Sequence, residues 1–152
     1  MRNKKPTIYF HYTNGPFYFQ NRTYLKSFLI ELFRLEDKPL EALHYIFCSD
    51  KYLLKLNEDF LHHDTYTDII TFPLSEPTSA VISDIYISTQ RVKENATALK
   101  IPFVYELHRV IFHGALHLCG YKDKTKMEKK LMRQKEDFYL HRYFVPRDTV
   151  SF

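Results

Sequence analysis

The sequence HGALHLCGYKD, from His113 to Asp123, brings together side chains that could bind a metal ion. Residues four apart lie nearly above one another on a helix, so His113 and His117 can present both imidazoles on one face. Gly120 stands where a left-handed residue commonly ends a helix, and such a turn would return Asp123 towards the histidines. Two imidazoles and a carboxylate, with a fourth position left to water, form a typical catalytic zinc site. The spacing therefore predicts a metal centre.

The same stretch has other interpretations. The chain has eight histidines in 152 residues, which can give an HxxxH pair by chance, and a histidine on an apolar helix is often a hydrogen-bonded core residue. The HxxxH pair alone favours a core histidine, whereas the Gly-Tyr-Lys-Asp turn, which adds an oxygen ligand, favours a metal site. Gly114 stands where HExxH zinc peptidases carry their glutamate base, so a peptidase would lack it. Spacing and the absence of a jelly-roll strand pattern count against a non-haem iron oxygenase.

Length and composition set broad limits on the class of protein. We expect a single domain over residues 1–152, because the chain has no repeat and no Gly/Ser linker and is long enough for one core. No apolar run approaches the length of a membrane span, and the first residues lack the apolar core of a signal peptide, so we expect a cytoplasmic protein without membrane association. The excess of 22 basic over 18 acidic residues is mild and by itself indicates no partner.

Alternating strand and helix patterns indicate how the metal-binding residues are positioned. Four strands are predicted, the last two as a hairpin-like pair, at residues 7–12, 40–49, 66–73 and 80–88. Five helices are predicted, the second capped by Ser49 or Asp50, at residues 21–37, 50–60, 89–100, 103–118 and 125–143. The fold class is therefore α/β or α+β, with about four strands in a mixed sheet and about five helices.

The last two helices carry apolar residues at helical spacing. In the helix that bears the histidines, the residues predicted to face inward are Val104, Leu107, Ile111 and Leu118. In the strongly charged final helix, the apolar positions are Met127, Leu131, Phe138 and Leu140.

Three blocks of the sequence resemble those of one known family. HGALHLCGYKD is similar to the signature His-Gly-x-Leu-His-Leu-x-Gly-Tyr-Asp-His of the YbeY family of bacterial ribosomal-RNA maturation endoribonucleases. LNEDFLHHDTYTDIITFP (Leu56 to Pro73) resembles that family's Leu-Asn followed by Asp-x-Pro-Thr-Asp-Val-Leu-Ser-Phe-Pro, and SDIYIS (Ser83 to Ser88) resembles its Gly-Asp-Ile strand. The blocks occur in the family's order, and the resemblance extends from about Leu40 to Leu140.

The resemblance implies a single-strand-specific, metal-dependent endoribonuclease that processes the 3′ end of small-subunit ribosomal RNA during ribosome biogenesis. His113, His117 and Asp123 would be both metal ligands and catalytic residues, holding one Zn²⁺ per chain, with Ni²⁺ or Mn²⁺ as alternatives. The implied partners are single-stranded RNA, ribosomal RNA, and the ribosome or ribosomal proteins. Two alternatives stay open: a ribosome-associated RNA-binding factor with a structural metal, and a metal-dependent hydrolase of another substrate.

Three departures from the family pattern bear on the site. Asp123 stands in place of the family's third histidine, and Lys122 stands in place of the aspartate before it. The ligands would then be two imidazoles and a carboxylate. A water bound to the metal would be less acidic than in a site with three imidazoles. Ser83 replaces a glycine, which requires a negative φ at that position. Leu61 stands in place of an arginine thought to lie beside the substrate.

With leucine at position 61, contacts to RNA must come from neighbouring residues. The nearest candidates are His62, His63 and Lys124, although each is equally well explained as a solvated loop residue. Asp68 and Asp84 lie in the matching blocks and are predicted to have structural roles, such as capping a turn or fixing a histidine. Aromatic residues that could line the site or stack on a base are Tyr121, Tyr66 and Phe72.

Overall fold

A computed structural model describes residues 5–13, 20–61 and 67–145 of the chain. In these residues the elements follow in the order β1 (Thr7–Tyr12), α1 (Arg22–Leu35), β2 (Leu40–Cys48), α2 (Asp50–Leu61), β3 (Ile69–Pro73), β4 (Val81–Ser88), α3 (Thr89–Leu99), α4 (Phe103–Leu118) and α5 (Lys126–Phe144). The predicted four strands and five helices are confirmed, with bounds that agree to within three residues.

The four strands form one mixed sheet in the order β1-β2-β4-β3. Strands β1, β2 and β4 are parallel, and β3 pairs antiparallel with β4, which confirms the hairpin-like pair. Ser83, in place of the family's glycine, is fully buried in β4, and its hydroxyl donates to the carbonyl of Phe72 at 3.0 Å. The φ angle of Ser83 is not positive, as expected from the replacement of glycine by serine.

Each face of the sheet carries helices. The main core lies between one face and helices α1, α4 and α5, and a smaller cluster of Cys48, Leu53 and Ile70 lies between the other face and α2. Ser49 caps α2, because its hydroxyl accepts the backbone N–H of Tyr52 at 3.1 Å. None of the helices in the described ranges is long and apolar enough to cross a membrane.

The inward faces of the last two helices differ in part from the predicted ones. Leu107 and Ile111 of α4 are fully buried, but Val104 is 45% exposed because it lies in the first turn, at the edge of the core. In α5, Leu140 is buried, whereas the other apolar positions point to solvent: Met127, Leu131 and Phe138. The buried face of α5 consists of Met132, Glu136, Tyr139, Leu140 and Tyr143. A carboxylate therefore lies inside this helix interface.

Helix α4 lies very close to the sheet at Gly114. A Cβ atom at this position would be 2.8 Å from the Ile69 Cδ1 atom and 3.2 Å from the Ile85 Cγ2 atom. Only a residue without a side chain allows this spacing unless the neighbours move. The contact holds His113 and His117 beside β3, the edge strand of the sheet.

Candidate metal centre

The turn after α4 brings Asp123 back to the two histidines. Gly120 has a φ of +108°, a conformation that favours glycine, and it reverses the chain just after the helix. As a result, Asp123 Oδ2 lies 3.2 Å from His113 Nε2, and Asp123 Oδ1 lies 3.8 Å from His117 Nε2. The structure thus brings together the three residues that the sequence predicted as ligands.

These three side chains satisfy the spacing that a metal ion requires. One nitrogen of each histidine and one oxygen of Asp123 all lie within 4.8 Å of one another. Within the described ranges, no other group of three or more histidine, cysteine or acidic residues meets this criterion. Because His113 is partly buried while His117 and Asp123 reach the surface, the cluster is open on one side.

Both histidines are oriented by hydrogen bonds at their other ring nitrogen. His113 Nδ1 lies 2.6 Å from Glu136 Oε2, and His117 Nδ1 lies 2.6 Å from the carbonyl oxygen of Tyr121. Both partners are acceptors, so each Nδ1 carries the proton and donates it. Each neutral imidazole then directs the lone pair of Nε2 towards the cluster, which is how metal-binding histidines are normally held. The donor set therefore fits a divalent metal ion.

Glu136 is the charged centre of this arrangement. It is 5% exposed and also accepts a hydrogen bond from Arg109 Nη1 at 3.0 Å. Burial alone would raise the pKa of Glu136, but the hydrogen bonds from His113 and Arg109 outweigh burial and lower it. Burial likewise opposes the charge on His113, yet the bond to Glu136 raises the pKa of His113 above its ordinary value. Glu136 therefore remains ionised beside His113.

The cluster opens into a cavity of about 470 Å³ between α4, β3 and the end of α2. Its described lining consists of Asn57, Leu61, Thr67, Asp68, Ile69, Ile70, Thr71, His113, His117 and Asp123. Burial raises the pKa of Asp68, although the nearby His113 opposes the increase. Asn95 donates to Asp68 Oδ2 at 3.4 Å. Among the described lining residues, Asp68 is the one carboxylate besides Asp123.

Two of the residues predicted to contact RNA or line the site, Lys124 and Tyr121, are not among the described lining residues of the cavity. Lys124 is exposed in the loop before α5, where its backbone N–H donates to Glu128 Oε1 at 3.2 Å, and it is not among the described lining residues. The phenol of Tyr121 donates to Glu36 at 2.6 Å, so only its carbonyl serves the site. The positions that fall outside the described residues are His62, His63 and Tyr66.

Two acidic residues, Asp68 and Glu136, have positions at the site that were not predicted from the sequence. Asp68 was predicted to have a structural role, and the structure places it in the lining of the cavity. The sequence signal for this position was that Asp68 belongs to the same matching block as Leu61. Glu136 was not singled out, because no helical spacing connects it with His113, which is 23 residues away. Asp84 pairs in β4 with Phe72, and its structural role stays a prediction.

The fold and the cluster define a small α/β protein with a site suited to a divalent metal ion. A family model described as Endoribonuclease YbeY matches residues 19–144, and the chain belongs to this family. The Endoribonuclease YbeY of Cytophaga hutchinsonii is 48% identical over 134 residues, which cover 88% of this chain and 94% of that protein. The corresponding protein of Amoebophilus asiaticus is 40% identical, with 90% and 92% covered.

The fold also has a solved counterpart. The solution structure of TM1509 from Thermotoga maritima superposes with a TM-score of 0.65 at 29% identity, covering 91% of this chain and 89% of that one. Because the superposition covers nearly the whole of both chains, the arrangement of elements is shared over most of their length.

Proposed function

We propose that the chain is a metal-dependent endoribonuclease that cleaves single-stranded RNA in the cytoplasm, in the maturation of the 3′ end of small-subunit ribosomal RNA. Family membership supports the nuclease activity. The observation that carries the proposal is the convergence of two oriented Nε2 atoms and a carboxylate at the mouth of an open cavity. An open cavity of this kind suits an extended polymer better than a small molecule, which usually binds in an enclosed apolar pocket.

The proposed ligands are His113, His117 and Asp123, and the proposed ion is Zn²⁺. Two imidazoles favour zinc or nickel, and the carboxylate in place of a third imidazole adds tolerance for manganese. A bound ion would polarise a phosphoryl oxygen and increase the acidity of water.

The protein supplies orientation and proton transfer. Glu136 and the Tyr121 carbonyl hold the two imidazoles so that their lone pairs point into the cavity. Asp68 lines the same cavity with a pKa raised by burial, so its carboxylate is placed to accept a proton from the attacking water and return it to the leaving oxygen.

The test combines metal analysis with RNA cleavage. Purified protein should contain about one ion per chain and cleave single-stranded RNA faster than a duplex of the same sequence. His113→Ala and His117→Ala should lose both the ion and cleavage, whereas His141→Ala, at an exposed position on α5, should keep both. Unchanged cleavage in the first two variants would disprove the site assignment.

The proposed partners can be tested separately. RNA affinity should fall steeply with salt, because phosphate contacts release counterions. An affinity that is constant over a fourfold increase in salt would contradict RNA binding. Co-sedimentation with the small ribosomal subunit would support action on the ribosome, and sedimentation of the protein only in the free fraction would contradict it.

A further inference from the structure

The outer edge of β3 has a defined hydrogen-bonding polarity. Two backbone hydrogen bonds flank its ladder with β4: Ser88 N–H to the Asp68 carbonyl at 3.0 Å, and Leu74 N–H to the Ile82 carbonyl at 2.7 Å. Directly opposed residues of an antiparallel pair alternate between bonded and non-bonded positions. With the observed register, Ile70 and Phe72 bond to β4, and the main-chain groups of Ile69 and Thr71 point away from it.

The β3 residues whose main-chain groups point away from β4 lie at the cavity that contains the metal cluster. Ile69 and Thr71 both line this cavity, and β3 is the edge strand on this side of the sheet. The described lining has no lysine or arginine, but it has the carboxylates of Asp68 and Asp123. Backbone N–H groups commonly bind phosphates, and those of this edge are uncharged donors available to the other oxygens of a phosphodiester at the cluster.

We propose that the outward N–H groups of Thr71 and Ile69 hold phosphate oxygens of the RNA strand beside the cluster, so that β3 is the substrate-positioning edge of the site. The inference rests on the proposed ribonuclease function. It makes the main chain, rather than a basic side chain, responsible for placing the scissile phosphate.

The pattern of donors and acceptors on this edge suits an anion better than a peptide. A peptide that adds to a sheet edge needs alternating donors and acceptors along its length. Here the Ile69 carbonyl, which lies between the outward N–H groups of Ile69 and Thr71, already accepts from the Thr67 hydroxyl at 3.3 Å. Pro73, the next outward residue, has a carbonyl but no N–H to continue a peptide ladder. The edge from Ile69 to Thr71 thus presents two donors with the acceptor between them occupied, which matches phosphate oxygens.

The test removes one N–H without changing the side chain. Thr71→Val is compared with the same protein carrying the α-hydroxy analogue of valine at position 71, which replaces the amide by an ester. Binding of a single-stranded oligonucleotide, measured with metal-loaded protein, should weaken roughly tenfold in the ester variant relative to Thr71→Val, as expected for a hydrogen bond to a charged acceptor. Metal content should agree between the two, and the melting temperature should fall only modestly, because the ester weakens the Ile70 carbonyl as a ladder acceptor without removing it.

Two further variants make each outcome decisive. An ester at Phe72 should lower the melting temperature, because that N–H belongs to the β3–β4 ladder. An ester at Ile69 repeats the test if the Thr71 ester fails to fold.

Equal RNA affinity with and without the outward N–H, in a protein that binds and cleaves RNA, would overturn this inference alone. Loss of affinity for an extended peptide but not for RNA would overturn it in favour of a peptide. A wild-type protein that neither binds nor cleaves RNA would overturn the proposed function itself.

Discussion

Replacing Glu136 by glutamine tests the physical basis of the metal centre most directly. The variant keeps the size of the side chain and an oxygen that can accept from His113, but it removes the buried negative charge. Loss of such a partner to a ligating histidine typically weakens metal binding by 10- to 100-fold, or about 1.4–2.7 kcal/mol. Because Glu136 is 5% exposed and its oxygen lies 2.6 Å from the imidazole, we expect a loss of roughly 50-fold.

The same change should destabilise the fold, because Arg109 loses a charged partner inside a helix interface. The bond from Arg109 to Glu136 is 3.0 Å long, and a hydrogen bond to a charged group contributes roughly 1.5–3 kcal/mol. Asp137→Asn is the matched control. Asp137 also accepts from Arg109, at 3.1 Å, but it is exposed and does not contact His113. That variant should lose less than about 1 kcal/mol and keep its metal affinity.

The assay is competition for the metal against a chromophoric chelator, combined with urea unfolding of the metal-free protein. Wild type, Glu136→Gln and Asp137→Asn are compared at one pH above neutrality. Metal affinity that is equal in wild type and Glu136→Gln would refute the orienting role of Glu136. Equal losses in both variants would show that Arg109, rather than the contact with His113, controls the site.

Three other changes have distinct expected results. Asp123→Ala should lower metal affinity, whereas Asp123→His should retain the ion and shift the pH–rate profile to lower pH. If the alanine variant kept the metal content of wild type, the third ligand would have to be another residue. Asp68→Asn should lower kcat at least tenfold with normal metal content, as is usual for loss of an acid–base group, and an unchanged pH–rate profile would contradict that role. The pKa of Glu36 is lowered, because hydrogen bonds from Tyr121, Tyr139 and Lys135 outweigh its burial. The ionised Glu36 therefore stabilises the fold at pH values above its ordinary pKa, and this stabilisation is lost as the pH falls through the lowered pKa. We expect the Glu36→Gln variant to be less stable than wild type by roughly 2 kcal/mol at neutral pH. In acid unfolding, its stability should also fall less steeply with decreasing pH.

The sequence was sufficient to predict the parts of the molecule that depend on local spacing. The proposed ligands lie within eleven consecutive residues, and a helix followed by a glycine turn determines their geometry almost alone. Strand and helix order followed from periodicity in the same way. The inward residues of α5 were harder to predict, because its apolar side chains lie on both its buried and its exposed face.

The residues that were missed depend on contacts between distant parts of the chain. Glu136 reaches His113 only because α5 packs beside α4, and Asp68 enters the cavity only because β3 is the edge strand. In a single sequence Glu136 looks like an ordinary acidic residue, and the block that contains Asp68 indicated only a structural role for it. No pattern in the sequence indicates that the outward groups of β3 would be at the cavity, since this depends on register with β4.

The tight contact at Gly114 also limits what this scaffold could become. In an HExxH peptidase, the residue after the first histidine carries the general base. Here that position faces Ile69 and Ile85, where even a methyl group would be 2.8 Å from a neighbouring atom. A glutamate introduced at 114 would therefore require the Ile69 and Ile85 side chains, or the helix itself, to move. A peptidase base at this position thus cannot be added without repacking α4 against the strands that position the two histidines.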